Sequence, residues 1–150
     1  MKYAQHTSIT IEKSRTDIEL LLSRYGADEF KRGWVEGKEA VQFIMKRKQI
    51  RFVLPLPAKD DVEFCYSRQS GIKHPEGKAL ILWEQACKTA YRALVLSIKA
   101  KLATVESGIS SFEEEFYANI VLPNNKTVFQ NTSHQVEQAY KDGGSVNLLS

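Results

Sequence analysis

The spacing of apolar residues changes period several times along this chain, and each change marks an element. Thr7 to Ile11 alternate polar and apolar, with Ile9 and Ile11 on one side, the pattern of a short half-buried strand. Ser14 then stands three residues before Asp17 as an N-cap with an acid in the first turn. Ile18, Leu21, Leu22 and Tyr25 follow at helical spacing until Gly26 closes the helix. From Phe30 to Pro57 the period becomes two, and three runs emerge: Phe30 to Val35, Glu39 to Lys46, and Gln49 to Leu56. Glu36-Gly37-Lys38 and Arg47-Lys48 supply the turns of an antiparallel meander. Val41, Phe43 and Met45 share a face with Ile50, Phe52, Leu54 and Leu56, so one side of the sheet is apolar. Pro55 and Pro57 lack the donor a ladder needs, which puts this strand at an edge or makes it leave the sheet there.

Ala58 to Gly77 is rich in Asp, Ser, Gly and Pro, a long loop that reads equally as a contact surface or as a mobile insertion with no partner. Lys78 to Glu106 then runs 29 residues without Gly or Pro and predicts one long helix, closed by Ser107-Gly108. At about 1.5 Å per residue it spans roughly 43 Å, enough to project, bend or pack on a second copy of the chain. Ser111 and Glu114 have capping-box spacing ahead of Phe112, Phe116 and Tyr117. After the Pro123-Asn124-Asn125 turn, Val128, Val136, Ala139 and Tyr140 predict a last short helix. Residues 1–142 thus read as one α+β domain, a strand and helix followed by a three-stranded meander packed on the long helix. Residues 143–150 read as a flexible tail.

Composition narrows the class. Apolar residues make up 43% and charged residues 26% of 150, the balance of a folded globular chain. Charges at Glu84, Lys88 and Arg92 break the most apolar stretch, so no membrane span is expected, and the first residues lack the apolar core of a signal peptide. The expected location is the cytoplasm of a host cell. Cys65 and Cys87 have no neighbouring ligand at metal spacing and read as reduced thiols.

Catalytic chemistry is hard to assemble. Asp28 with Glu36-Gly37-Lys38 has the residue types with which one nuclease class holds Mg²⁺, but the Glu and Lys fall on a hairpin tip. Glu113, Glu114 and Glu115 point about 100° apart on a helix and suit its positive end. Asp60, Asp61 and Glu63 lack the remaining ligands of a calcium loop. His6, His74 and His134 are scattered, and no Walker, dinucleotide or nucleophile-elbow pattern occurs. No catalytic residue, cofactor or metal is therefore assigned.

The net charge of +3 is mild, and its distribution says more. Lys46, Arg47, Lys48 and Arg51 gather at the second hairpin, with Lys31 and Arg32 on a neighbouring strand. Lys88, Arg92 and Lys99 fall within about 40° of one another on the long helix, a stripe able to follow a phosphate backbone. Trp34 could add stacking for a single strand, or be core. The same cations would equally suit a solvated face.

The blocks Arg51-Phe-Val-Leu-Pro-Leu-Pro57, Trp83-Glu-Gln-Ala-Cys87, Ser97-Ile-Lys-Ala-Lys-Leu102, Val105-Glu-Ser-Gly-Ile109 and Phe112-Glu-Glu-Glu-Phe116 resemble those of a family of small bacteriophage and prophage proteins with no assigned activity. Leu22-Ser-Arg-Tyr-Gly-Ala27 and Ile120-Val-Leu-Pro123 extend the resemblance over most of the chain from Ile9 to Tyr140. It implies a viral setting and transfers no site residue. In that setting the expectation is a non-enzymatic nucleic-acid-binding accessory of replication or recombination, contacting phosphates through the nine cations named above, with a homo-oligomer as the assembly the long helix allows. The alternative is a module that binds a host protein, inhibiting an enzyme or a defence complex through the 58–77 loop and an apolar patch on the long helix. A Mg²⁺-dependent nuclease comes third.

Overall fold

A computed structural model describes residues 2–144, with side chains from Ile11 onward. The elements are α1 (Lys2–Ser23), β1 (Asp28–Val35), β2 (Lys38–Met45), β3 (Lys48–Leu54), α2 (Val62–Cys65), α3 (Lys78–Glu106), α4 (Phe112–Phe116) and α5 (Val128–Asp142), with a 3₁₀ turn at Tyr117–Asn119 after α4. The α+β architecture is the one the periodicity predicts: a three-stranded antiparallel sheet in the order β1-β2-β3, a long helix and smaller C-terminal helices. Of the tail expected at 143–150, Gly143 caps α5 in the left-handed region and residues 145–150 lie outside the described residues.

The first element differs from expectation. Thr7 to Ile11 belong to α1 rather than to a strand, and Ser14 lies inside that helix instead of capping it. No Gly or Pro interrupts Lys2 to Tyr25, and Ile11, Ile18 and Leu22 continue a helical spacing backward. Five alternating residues are too few to compete with that longer period. Ile11 packs against the core, and Ile18 and Leu22 are fully buried within it.

Both hairpins are tight. Val35 pairs with Lys38 around Glu36-Gly37, and Met45 pairs with Lys48 around Lys46-Arg47. All four turn residues have positive φ, the type I′ geometry whose twist matches that of paired strands. The second turn therefore sits one residue earlier than the Arg47-Lys48 reading. Alternation along β2 and β3 sends Val41, Phe43 and Met45 with Ile50, Phe52 and Leu54 to one face, where α1, α3 and α4 cover them. Cys87, Tyr91, Leu94, Ile98 and Leu102 form the buried stripe of α3 at three- and four-residue steps. Phe30, Phe43, Phe52, Phe116 and Phe112 touch in succession, with centroids 4.9 to 6.2 Å apart, from the outer strand to α4. Each fully buried Phe contributes about 1.5–3 kcal/mol, so this row ties the C-terminal segment to the sheet.

β3 ends at Leu54, and the chain leaves the sheet at Pro55. The following segment is more ordered than its composition suggests. Val62–Cys65 forms one helical turn, Tyr66 bridges Lys73, and buried Phe64 anchors the segment, whose α2 packs on α3. Trp83 Nε1 donates to the Pro57 carbonyl at 2.7 Å, fastening the start of this crossing to the N-terminal part of α3. At the other end, α4 starts from the predicted cap: the Glu114 amide donates to Ser111 Oγ at 3.1 Å. Thr127 and Gln130 make a full capping box for α5. Between them, Ile120 bridges Ile50 and the Val121 amide donates to the Gln49 carbonyl, so the outer side of β3 is partly covered.

Candidate nucleic-acid interface

The nine cations singled out in the sequence do not share one surface. Lys46 and Arg47 are the exposed central pair of the second hairpin, with Lys46 Nζ 5.6 Å from the centre of the Phe112 ring. Lys48 lies 3.9 Å from Glu113. Lys31 and Arg51 align across Gln42 in one row of the sheet, on the face turned away from the core. Arg32 alternates to the other face and pairs with Glu12 of α1 at 2.6 Å. Lys88, Arg92 and Lys99 are exposed along one flank of α3.

That flank is built by two helices. Arg15 of α1 reaches Tyr91 of α3, and Tyr25 just beyond α1 reaches Glu106 at the end of α3, so α1 and α3 run side by side in the same direction. Lys13, Ser14 and Asp17 of α1 face Lys88, Arg92 and Val95 across a groove of about 220 Å³. Three cations and one carboxylate line it. Lys13 escaped the sequence reading because the residues before it looked like a strand; the missing signal was the continuous helical period through Ile11.

Arg51 is a different kind of residue from the surface cations. It is 4% exposed; one terminal nitrogen donates to the Asn125 carbonyl at 2.9 Å and the other to Asn125 Oδ1 at 2.7 Å. Asn125 can present both oxygens because it occupies the left-handed region at φ 66°, in the turn predicted at Pro123-Asn124-Asn125. Arg51 lines a cleft between the non-core face of the sheet and the start of α5, with Glu36, Lys38, Asn119, Phe129 and Gln130.

Beneath α1 lies a buried polar network. The Arg15 guanidinium donates to Glu12 at 2.7 Å, to the buried carboxylate of Glu39, and through Nε to the Tyr91 hydroxyl at 3.2 Å. Hydrogen bonding to Arg15 holds the Glu12 carboxyl below its ordinary range, and burial pushes the Tyr91 phenol up. Glu39 and Tyr91 are closed to solvent, so with Arg15 they join α1, β2 and α3, while Glu12 stays exposed at the edge of the network. Burial likewise raises the Cys87 thiol to about 11, keeping it protonated and unreactive near neutrality.

The nuclease residues stand apart. Asp28 begins β1 and Glu36 follows its end, about 25 Å away at the usual strand rise. One metal ion cannot bridge them. Among the described residues no three of His, Cys, Asp and Glu gather as a metal site, and no helix is long and apolar enough to cross a membrane. Comparison with family models, curated proteins and solved structures finds no match to this chain.

Proposed function

We propose that this chain is a non-enzymatic nucleic-acid-binding protein whose α1–α3 flank follows a phosphate backbone, acting as an accessory of phage replication or recombination. The observation that carries this reading is the convergence of Lys13, Lys88 and Arg92 on one groove between parallel helices, with Lys99 continuing the row along α3. Cations held on rigid helices supply the sequence-independent part of such binding, and each phosphate contact releases counterions. Lys46 and Arg47 offer a second, smaller contact.

Titration against single- and double-stranded DNA and RNA over a salt series tests the reading. Log affinity should fall linearly with log salt, with a slope of about −0.7 to −0.9 per phosphate neutralised. Joint reversal of Lys88→Glu and Arg92→Glu should abolish binding while leaving the circular dichroism spectrum unchanged. Absence of binding at low salt defeats the proposal.

A second reading, a module that docks on a host protein, draws on the 58–77 segment. Val62 and Ile72 are 72% and 68% exposed there, although the segment is anchored through Phe64, and Leu96 is exposed on α3. Capture of one defined host protein from nuclease-treated lysate, lost in Val62→Asp with Ile72→Asp, would favour this reading over the first.

A further inference from the structure

We infer that the cleft between the sheet and the start of α5 is a nucleoside-phosphate site, taking the phosphate toward Arg51 and Lys38 and the ring against Phe129. This site lies on the opposite face of the sheet from the α1–α3 flank, and the inference does not rest on that flank binding nucleic acid.

Arg51 supplies the first argument. Its guanidinium is buried, its acceptors are amide oxygens of Asn125 and Gln42, and its Nε–H has no partner. No described carboxylate pairs with it. A buried cation lacking a counterion is costly, and burying an unmatched donor adds to that cost. Nε is itself closed off, so what an anion in the cleft that Arg51 borders can supply is the missing counter-charge.

The cleft has the size and lining for that anion and for a ring attached to it. Two neighbouring cavities, of about 430 and 530 Å³, share Val35, Glu36, Arg51, Phe129 and Gln130 as walls. Volumes in this range hold small-molecule ligands. Lys38 borders the first cavity and Lys126 the second, giving three cations with Arg51 against the single carboxylate of Glu36. The α5 N-terminus, whose dipole favours negative charge, opens into the same space through Thr127, Phe129 and Gln130. Phe129 borders the cleft and is 62% exposed, which leaves its ring available for stacking. Val53 and Pro55 form the apolar wall. A cationic floor, an amide-rich rim and an aromatic edge together match a phosphate joined to a planar base.

Calorimetric titration of the full chain with AMP, adenosine and inorganic phosphate tests this. AMP should bind more tightly than either fragment, and Lys38→Ala and Phe129→Ala should each weaken AMP about tenfold. Arg51→Met should abolish AMP binding; if that variant does not fold, the two exposed variants decide. Adenosine binding as tightly as AMP, affinity unmoved in Lys38→Ala and Phe129→Ala, or no AMP binding at millimolar concentration overturns the site. A short oligonucleotide with and without a 5′-phosphate identifies the source of the ligand. Phosphate-dependent binding tighter than AMP marks a strand end and weaker binding marks a free nucleotide; either upholds the site.

Discussion

Arg47 holds a left-handed backbone at φ 66° beside Lys46 at φ 50°, where a type I′ turn prefers Asn-Gly. A non-glycine residue in this region costs about 1–2 kcal/mol. Arg47→Gly should therefore stabilise the chain by about 1 kcal/mol, read as a higher urea midpoint at unchanged m-value. The first hairpin has Gly37 in the corresponding position, and that glycine is why its turn was legible in the sequence. Lys46-Arg47 carries no such mark, and its turn was read one residue late. Cys87 yields a second prediction at this scale. Its thiol ionises near 11 when folded and near 9 when unfolded, so its contribution is whole below pH 9 and lost as pH rises through 11. Unfolding free energy should fall across that window with a slope of up to about 1.4 kcal/mol per pH unit from this group. Tyr91, also raised by burial, adds a loss of the same sign. Urea titrations of wild type and Cys87→Ala between pH 8.5 and 11 should show a shallower decline in the variant.

Where period and length agreed, elements were legible. The three strands and α3 appear where residues such as Phe43, Phe52 and Ile98 place them, because two- and 3.6-residue repeats lasted long enough to be distinguished. The second half of α1 carries a clear helical period in Ile18, Leu21 and Leu22, but its first half is masked by the strand-like alternation of Thr7 to Ile11, and the single turn of α2 has no period. Charge partners across elements were not legible at all. Glu39 resembles any polar residue opening a strand, yet it is buried against Arg15, whose position opposite depends on how α1 docks. Removing Arg15 leaves the buried Glu39 carboxylate uncompensated, so Arg15→Met should cost about 3–5 kcal/mol, whereas Arg15 without Glu39 keeps Glu12. The joint replacement Arg15→Met with Glu39→Leu should recover most of that loss. Denaturant unfolding of wild type and the two variants measures both effects, and equal loss in the single and joint variants would contradict the assignment.

At the scale of the molecule, the sequence grouped cations within a hairpin or along one helix, and folding regrouped several of them across elements. Lys31 and Arg32 are adjacent residues on opposite faces of the sheet, whereas Lys13 and Arg92 face one groove. Arg51 left the surface cations altogether for the floor of a cleft that its neighbours in sequence do not reveal. The pairing of α1 with α3 also bears on how the chain acquires its shape. Arg15 and Tyr91 are 76 residues apart, and Tyr25 and Glu106 are 81 apart. The hairpins, by contrast, close over a few residues. Closing a long loop is entropically costly and comes late, so the meander should acquire amide protection before α1 does in pulsed hydrogen exchange during refolding. On the ribosome the first helix emerges long before its partner, and its apolar side stays without a seat until α3 has been translated. That interval leaves the nascent chain open to chaperones or to a neighbouring copy, and it ends when the flank proposed to bind phosphate comes into being.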